Sequence, residues 1–132
     1  MKYLVDTHVL IWAFTDPDLL PPRFRDILLD EGNEIFYSQF SLWEISLKYS
    51  LGKLSLEGRT PEQFYLELEA SFFTCHPASN EELISFHKLP REHKDPFDRF
   101  LIWQCIVNGY AFLSVDADVP RYHKYGLKFE QA

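Results

Sequence analysis

Lys2-Tyr3-Leu4-Val5-Asp6-Thr7-His8-Val9-Leu10-Ile11-Trp12-Ala13-Phe14 divides at its single carboxylate. The residues from Lys2 to Asp6 have the length and apolar character of a short buried strand, and Val9 to Phe14 form an apolar helical run. Asp6 or Thr7 can cap that helix, because a short side-chain oxygen accepts the free N–H groups of a first turn. A strand that runs into a helix is the opening of a β–α–β crossover, and such crossovers place successive strands parallel.

Outward from this stretch the alternation continues. Asp16-Pro17-Asp18 ends the first helix, and Pro21 and Pro22 open a second through about Asp30, stopped by Gly32-Asn33. Glu34 to Ser38 reads as a second strand. Ser41 to Leu51 carries Leu42, Ile45 and Tyr49 at helical spacing, and Thr60-Pro61-Glu62 starts another helix to about Ser71. Phe72 to His76 is a third strand, and Ser79 with Glu82 makes a capping box for a helix through about His87. After a polar loop from Lys88 to Lys94, Asp95-Pro96-Phe97-Asp98 opens the strongest helix, which ends at Asn108-Gly109. Tyr110 to Val115 is a fourth strand closing on Asp116, with a fifth at Leu127 to Glu130. The pattern predicts an α/β fold, a central parallel sheet of four to five strands between two helical layers.

The 132 residues suit one domain spanning 1–132, and 46% apolar with 25% charged residues is a globular composition. The run from Val9 to Phe14 is far shorter than the ~20 residues of a spanning helix, so no membrane or secretory segment is read and a cytoplasmic protein is expected. Cys75 and Cys105 form no Cys-x-x-Cys pair, which argues against a disulfide framework or a zinc knuckle. A net charge of −7 weighs against nucleic acid. The charge is uneven, however: residues 1–44 hold 3 basic and 8 acidic side chains, residues 88–132 hold 7 and 6. Acids that converge on a divalent cation also present far less repulsion to a phosphate than their formal count implies. A nucleic-acid substrate is not excluded.

In open parallel sheets, ligands bind beyond the carboxyl ends of the strands. Asp6 and Asp116 stand at two such ends, Asp98 lies in the first turn of the helix before the fourth strand, and Glu44 sits one turn into the helix after the second. Carboxylates at these places suit a hard cation such as Mg²⁺ or Mn²⁺. Plainer roles exist for each. Asp6 and Asp95 can cap helices, Glu44 can pair with Lys48 four residues on, and Asp116 can be a turn residue. His8 and His93 lie next to acids but belong to no zinc pair on one helix. Trp12, Trp43 and Trp103 occupy apolar helical faces and read as core or interface.

Order and flanking sequence separate these readings. Leu4-Val5-Asp6-Thr7-His8, Ser41-Leu42-Trp43-Glu44-Ile45 leading to Lys48 and Leu51-Gly52-Lys53-Leu54, His93-Lys94-Asp95-Pro96-Phe97-Asp98-Arg99, and Ser114-Val115-Asp116 before Arg121-Tyr122 resemble the landmarks of the PIN-domain family, and most closely its VapC-type toxins. The resemblance covers nearly the whole chain. It implies a PIN-like three-layer sandwich and an endoribonuclease of a toxin–antitoxin pair, hydrolysing RNA with a metal-bound water. By the same resemblance Asp6, Glu44, Asp98 and Asp116 hold Mg²⁺, with Mn²⁺ as substitute, and Ser114 supports Asp116. Asp95 and Asp118 are neighbouring acids, Asp95 closest to the site. Lys94, Arg99, Arg121 and Lys124 are candidates for RNA phosphate contacts. Expected partners are RNA, a cognate antitoxin and a second copy in a homodimer, the last supported by the density of Trp12, Phe14, Phe36, Tyr37, Phe40 and Trp43. Two alternatives stand beside this: a PIN-fold protein-binding module without activity, and an Asp-dependent phosphatase. The latter needs a second Asp two positions after Asp6, where His8 stands.

Overall fold

A computed structural model describes residues 1–131. Five parallel strands form one sheet in the order β3-β2-β1-β4-β5, with β1 Lys2–Val5, β2 Glu34–Ser38, β3 Thr74–His76, β4 Ala111–Leu113 and β5 Lys128–Glu130. The quoted opening stretch is thus the centre of the sheet, which is why Tyr3, Leu4 and Val5 are all buried. Alternation across the pleat divides the core in two. Tyr3, Val5, Ile35, Tyr37, Ala111 and Leu113 face one helical layer, and Leu4, Phe36 and Phe112 face the other.

The first layer is α1 (Thr7–Thr15), α2 (Pro22–Leu29) and α4 (Pro61–Glu69), which contribute Val9, Phe24 and Phe64. The second is built on α6 (Pro96–Asn108), which contributes Leu101, Ile102 and Cys105. α3 (Gln39–Ser50) follows β2 directly, because the Ser38 hydroxyl caps it by accepting the Phe40 amide at 3.0 Å. Gly109 ends α6 in the left-handed region, φ 73°, which a residue with a Cβ adopts only at a cost. Among the described residues no helix is long and apolar enough to cross a membrane.

Two expectations are adjusted, and one element is new. The fourth strand pairs only over Ala111–Leu113, not to Val115, because the Ser114 hydroxyl takes up the Asp116 amide at 3.1 Å and turns the chain out of the ladder. The third begins at Thr74, since the Ser71 hydroxyl holds the Phe73 amide in a turn at 3.2 Å. Val119–Tyr125, which carried no expectation, is a 3₁₀ turn burying Val119 and Tyr122 three residues apart, the repeat of that helix.

α5 (Asn80–Ser85) carries the expected capping box, and Glu82 does more than cap. Buried, it accepts from the Ser79 amide (2.9 Å), Asn108 Nδ2 (2.7 Å) and Gln104 Nε2 (3.2 Å), and pairs with His76 Nε2 at 2.7 Å. Burial alone would raise its pKa, but these hydrogen bonds outweigh it and bring the carboxyl down to about 2. A carboxyl with a lowered native pKa stabilises the fold above its unfolded value, near 4.5, and loses that contribution as pH falls through about 2. Glu82→Gln should therefore lower the unfolding free energy at neutral pH by on the order of 1–3 kcal/mol. In urea titrations the gap to the parent protein should close between about pH 4.5 and 2; a gap constant across that window would contradict it.

Candidate metal centre

Asp6 and Asp116 follow strands, Asp95 and Asp98 open α6, and Glu44 comes from the middle of α3. Asp6 follows β1 and caps α1, with Oδ1 accepting the His8 amide at 3.2 Å and Oδ2 accepting the Ser114 hydroxyl at 2.6 Å. Its own amide donates to the Leu113 carbonyl at 2.9 Å, tying it to the end of β4. Glu44 is 1% exposed in α3, with Oε2 on Lys48 Nζ at 2.5 Å. Asp95 caps α6 by accepting the Phe97 amide at 2.9 Å, and Asp98, 8% exposed, lies in the turn that follows. Asp116 leaves the sheet after β4; its Oδ1 accepts the Asp118 amide at 2.8 Å and its Oδ2 meets His93 Nε2 at 2.6 Å.

Two groups of donor atoms arise, each within 4.8 Å: Glu44, Asp95 and Asp98, and His93, Asp98 and Asp116. Asp98 belongs to both. Asp6 belongs to neither group; its two oxygens accept from His8 and Ser114, and its charge acts on Asp98. Ser114 was expected to support Asp116. Its hydroxyl proton goes instead to the Asp6 carboxylate, while its oxygen holds only the backbone amide of Asp116. Asp118 contributes that same kind of amide contact, and its carboxylate pairs with Arg121 at 3.5 Å.

The electrostatics single out Asp98. Burial, then the charges of Asp6, Asp95, Glu44 and Asp116, push its carboxyl up to about 8. Burial also raises Asp6, partly offset by Ser114 and His8. Asp116 goes the other way: burial would raise it, but the Asp118 amide and His93 together lower it. For Lys48, burial opposes the charged form, yet its bond to Glu44 and the charges of Glu44, Asp95 and Asp98 raise its pKa. Glu44 Oε1 and Asp98 Oδ1 are buried without a hydrogen-bond partner among the described residues. A buried carboxylate oxygen without a donor is costly, and a hard cation is the natural remedy.

The basic candidates separate. Lys94 is exposed beside the acids, as are Arg121 and Lys124 further along, the latter paired with Glu92 at 3.3 Å. Arg99 is held differently: its guanidinium donates to the Leu89 carbonyl at 3.2 Å and lies 4.9 Å from the Phe86 ring centre. A helix turns ~100° per residue, so its side chain leaves α6 at a different angle from that of Asp98. His93, adjacent to the acids in sequence but without an assigned task, is drawn into them.

A profile of the PIN domain matches residues 3–125. The chain belongs to the PIN-domain family. This PIN domain superposes on a chain of VapBC2 from Rickettsia felis, crystallised bound to a DNA fragment from its promoter (TM-score 0.69, 17% identity, covering 99% of this chain and 98% of that one). It is likewise similar to DNA-bound VapBC from Salmonella typhimurium (0.70, 16%, 99% and 98%). A third likeness is to VapBC-5 from Mycobacterium tuberculosis, a member of the VapBC family of toxin–antitoxin systems (0.55, 15%, 98% and 96%). At such identities these are similarities of fold. No curated protein matches the sequence.

Because Asp98 holds its proton up to about 8, a cation entering at neutral pH must displace it. Mg²⁺ titrations at pH 7 in two buffers of different ionisation enthalpy should show release of about one proton per ion, with affinity falling as pH drops below about 8. Affinity independent of pH from about 6 to 9 would contradict this. In the metal-free fold the sign is also fixed. A raised native pKa favours folding below the usual value, 3.8, and that contribution is lost as pH rises through about 8.

Proposed function

We propose that this PIN domain is a divalent-cation-dependent endoribonuclease, the toxin of a toxin–antitoxin pair. The observation that carries the reading is Asp98: buried, with an orphaned oxygen, and common to both groups of donors at the carboxyl edge of the sheet. The residues fit Mg²⁺ or Mn²⁺, since the donor set is dominated by hard carboxylate oxygens. Asp6, Glu44, Asp98 and Asp116 would hold one or two ions, Asp98 being common to the donor group of Glu44 and to that of Asp116.

Such an ion supplies Lewis acidity, making water a better nucleophile and offsetting charge on a phosphate. The chain's own groups do the rest. Ser114 keeps Asp6 turned toward β4, and Lys48 neutralises one oxygen of Glu44 so that the other is left free. A cavity of about 220 Å³ beside Glu44, lined in part by His8, Ile11, Lys48 and Lys53, offers a nucleotide an apolar wall and two ammonium groups. Lys94, Arg121 and Lys124 are exposed and can meet flanking phosphates.

The partner reading is supported by the VapBC assemblies that the fold resembles. Of the aromatic residues expected to mark an interface, Phe14 and Tyr37 pack in the core and Phe36 stacks on Tyr110. Trp43 is different: 56% exposed, it meets Phe40 edge to face and Phe97 at a tilt, next to the acid site. An exposed aromatic there suits a homodimer or antitoxin contact. An antitoxin that presents an Arg or Lys to the acids would gain charge-assisted hydrogen bonds and compete with the cation.

Purified protein should cleave RNA with Mg²⁺ or Mn²⁺ and lose that activity in excess EDTA. Asp98→Asn should reduce the rate by ~10²-fold or more. Asp95→Asn should be milder, because Asn also caps a helix. Undiminished cleavage in EDTA, or the reverse order of the two variants, would sink the reading. Sedimentation at micromolar concentration should give a dimer, and growth should slow when the chain is expressed without an antitoxin; a harmless monomer would remove the toxin assignment.

A further inference from the structure

The imidazole of His93 lies among the acids in an unusual bonding state. Its Nδ1 accepts the backbone N–H of Asp95 at 2.8 Å, while Nε2 lies 2.6 Å from Asp116 Oδ2 and 3.5 Å from Asp98 Oδ2. An amide N–H only donates. Nδ1 must therefore present its lone pair, and the ring proton is confined to Nε2. A protonated nitrogen has no lone pair for a cation, so the ring faces the two carboxylates as a donor, even though its distance from them would also suit a ligand.

The backbone behind the ring is held just as firmly. Tyr122 is fully buried, and its hydroxyl accepts both the Glu92 and the His93 amides at 2.9 Å. Tyr125 donates to Glu92 at 2.9 Å from the same 3₁₀ turn, which follows closely on Asp116. The loop that carries the donor and the loop that carries its acceptor are thereby fastened together. Asp98 and Asp116 lie within reach of one another, and the single N–H of the ring stands between their oxygens.

We propose that His93 is a positioning residue: its locked Nε2–H sets the orientation of Asp116 opposite Asp98, and it does not itself ligate the cation. The proposal rests on the metal-centre reading given above, and a binding experiment separates the two. Mg²⁺ is the probe, being diamagnetic. Long-range ¹H–¹⁵N spectra of the full chain, at a pH where the ring is neutral, report which nitrogen carries the proton. The Nε2–H form is expected both without and with saturating Mg²⁺; transfer of the proton to Nδ1 on adding Mg²⁺ would make His93 a ligand and overturn the proposal.

Two variants supply the second arm. Gln extends an N–H donor to about the place of Nε2, whereas Asn reaches only to that of Nδ1. By calorimetry, His93→Gln should keep Mg²⁺ affinity within about threefold, and His93→Asn should lose ~10-fold or more, the scale seen when an outer partner of a metal ligand is removed. Equal affinities for the two overturn the proposal. Should His93→Asn not fold, the spectra of the parent protein still decide. Mg²⁺ results as expected without RNA cleavage would remove the nuclease reading and leave the role of His93 standing; no Mg²⁺ binding by the parent would end both.

Discussion

A single buried hydrogen bond, from the Ser114 hydroxyl to the Asp6 carboxylate, joins the first strand of the chain to the fourth at the point where both leave the sheet. The Asp6 amide reinforces it on the Leu113 carbonyl. From this joint the site follows. Asp6 starts α1, Ser114 redirects the chain to deliver Asp116, and the buried negative charge of Asp6 is the largest charge acting on Asp98. Without the hydroxyl, a carboxylate buried this deeply would lack one of its two donors, at a cost of ~1–3 kcal/mol.

The molecule treats its buried carboxylates in two opposite ways. Glu82 is surrounded by donors from α5, α6 and β3, and its charge strengthens the fold. Asp98 is surrounded by other acids and keeps an empty oxygen, so that its charge weakens the fold unless something outside the chain answers it. Local structure this unfavourable persists where function requires it, and the donors gathered on Glu82 help the fold tolerate it.

Much of this was written in the sequence. The strand–acid–helix opening, the Ser79–Glu82 capping box, the Asp95-Pro96 helix start and the Gly109 stop each have a local cause, and each stands within a residue or two of its expected place. Three of the four acids stood out by their positions at strand ends or a helix start, whereas Glu44, in the middle of α3, was marked by its flanking sequence alone. What could not be read were contacts made by residues far apart in sequence: Ser114 with Asp6, Tyr122 with the amides of Glu92 and His93. Direction was equally hidden. Lys94 and Arg99 flank the same acids in sequence, yet one faces solvent while the other is packed on Phe86.

The central place of β1 also bears on how the chain folds. Its neighbours are β2, some thirty residues away, and β4, reached only after more than a hundred, as the pairing of Tyr3 with Ile35 and Ala111 shows. Closing so long a loop comes late, because its entropy is lost before its contacts are gained. A chain growing from its amino end can pair β1 with β2 and then β2 with β3, but one flank of the central strand stays bare until β4 has been made. The acid cluster is therefore completed only once β4 has been made, and a chain cut short before β4 would carry Asp6, Glu44 and Asp98 without Ser114 and Asp116.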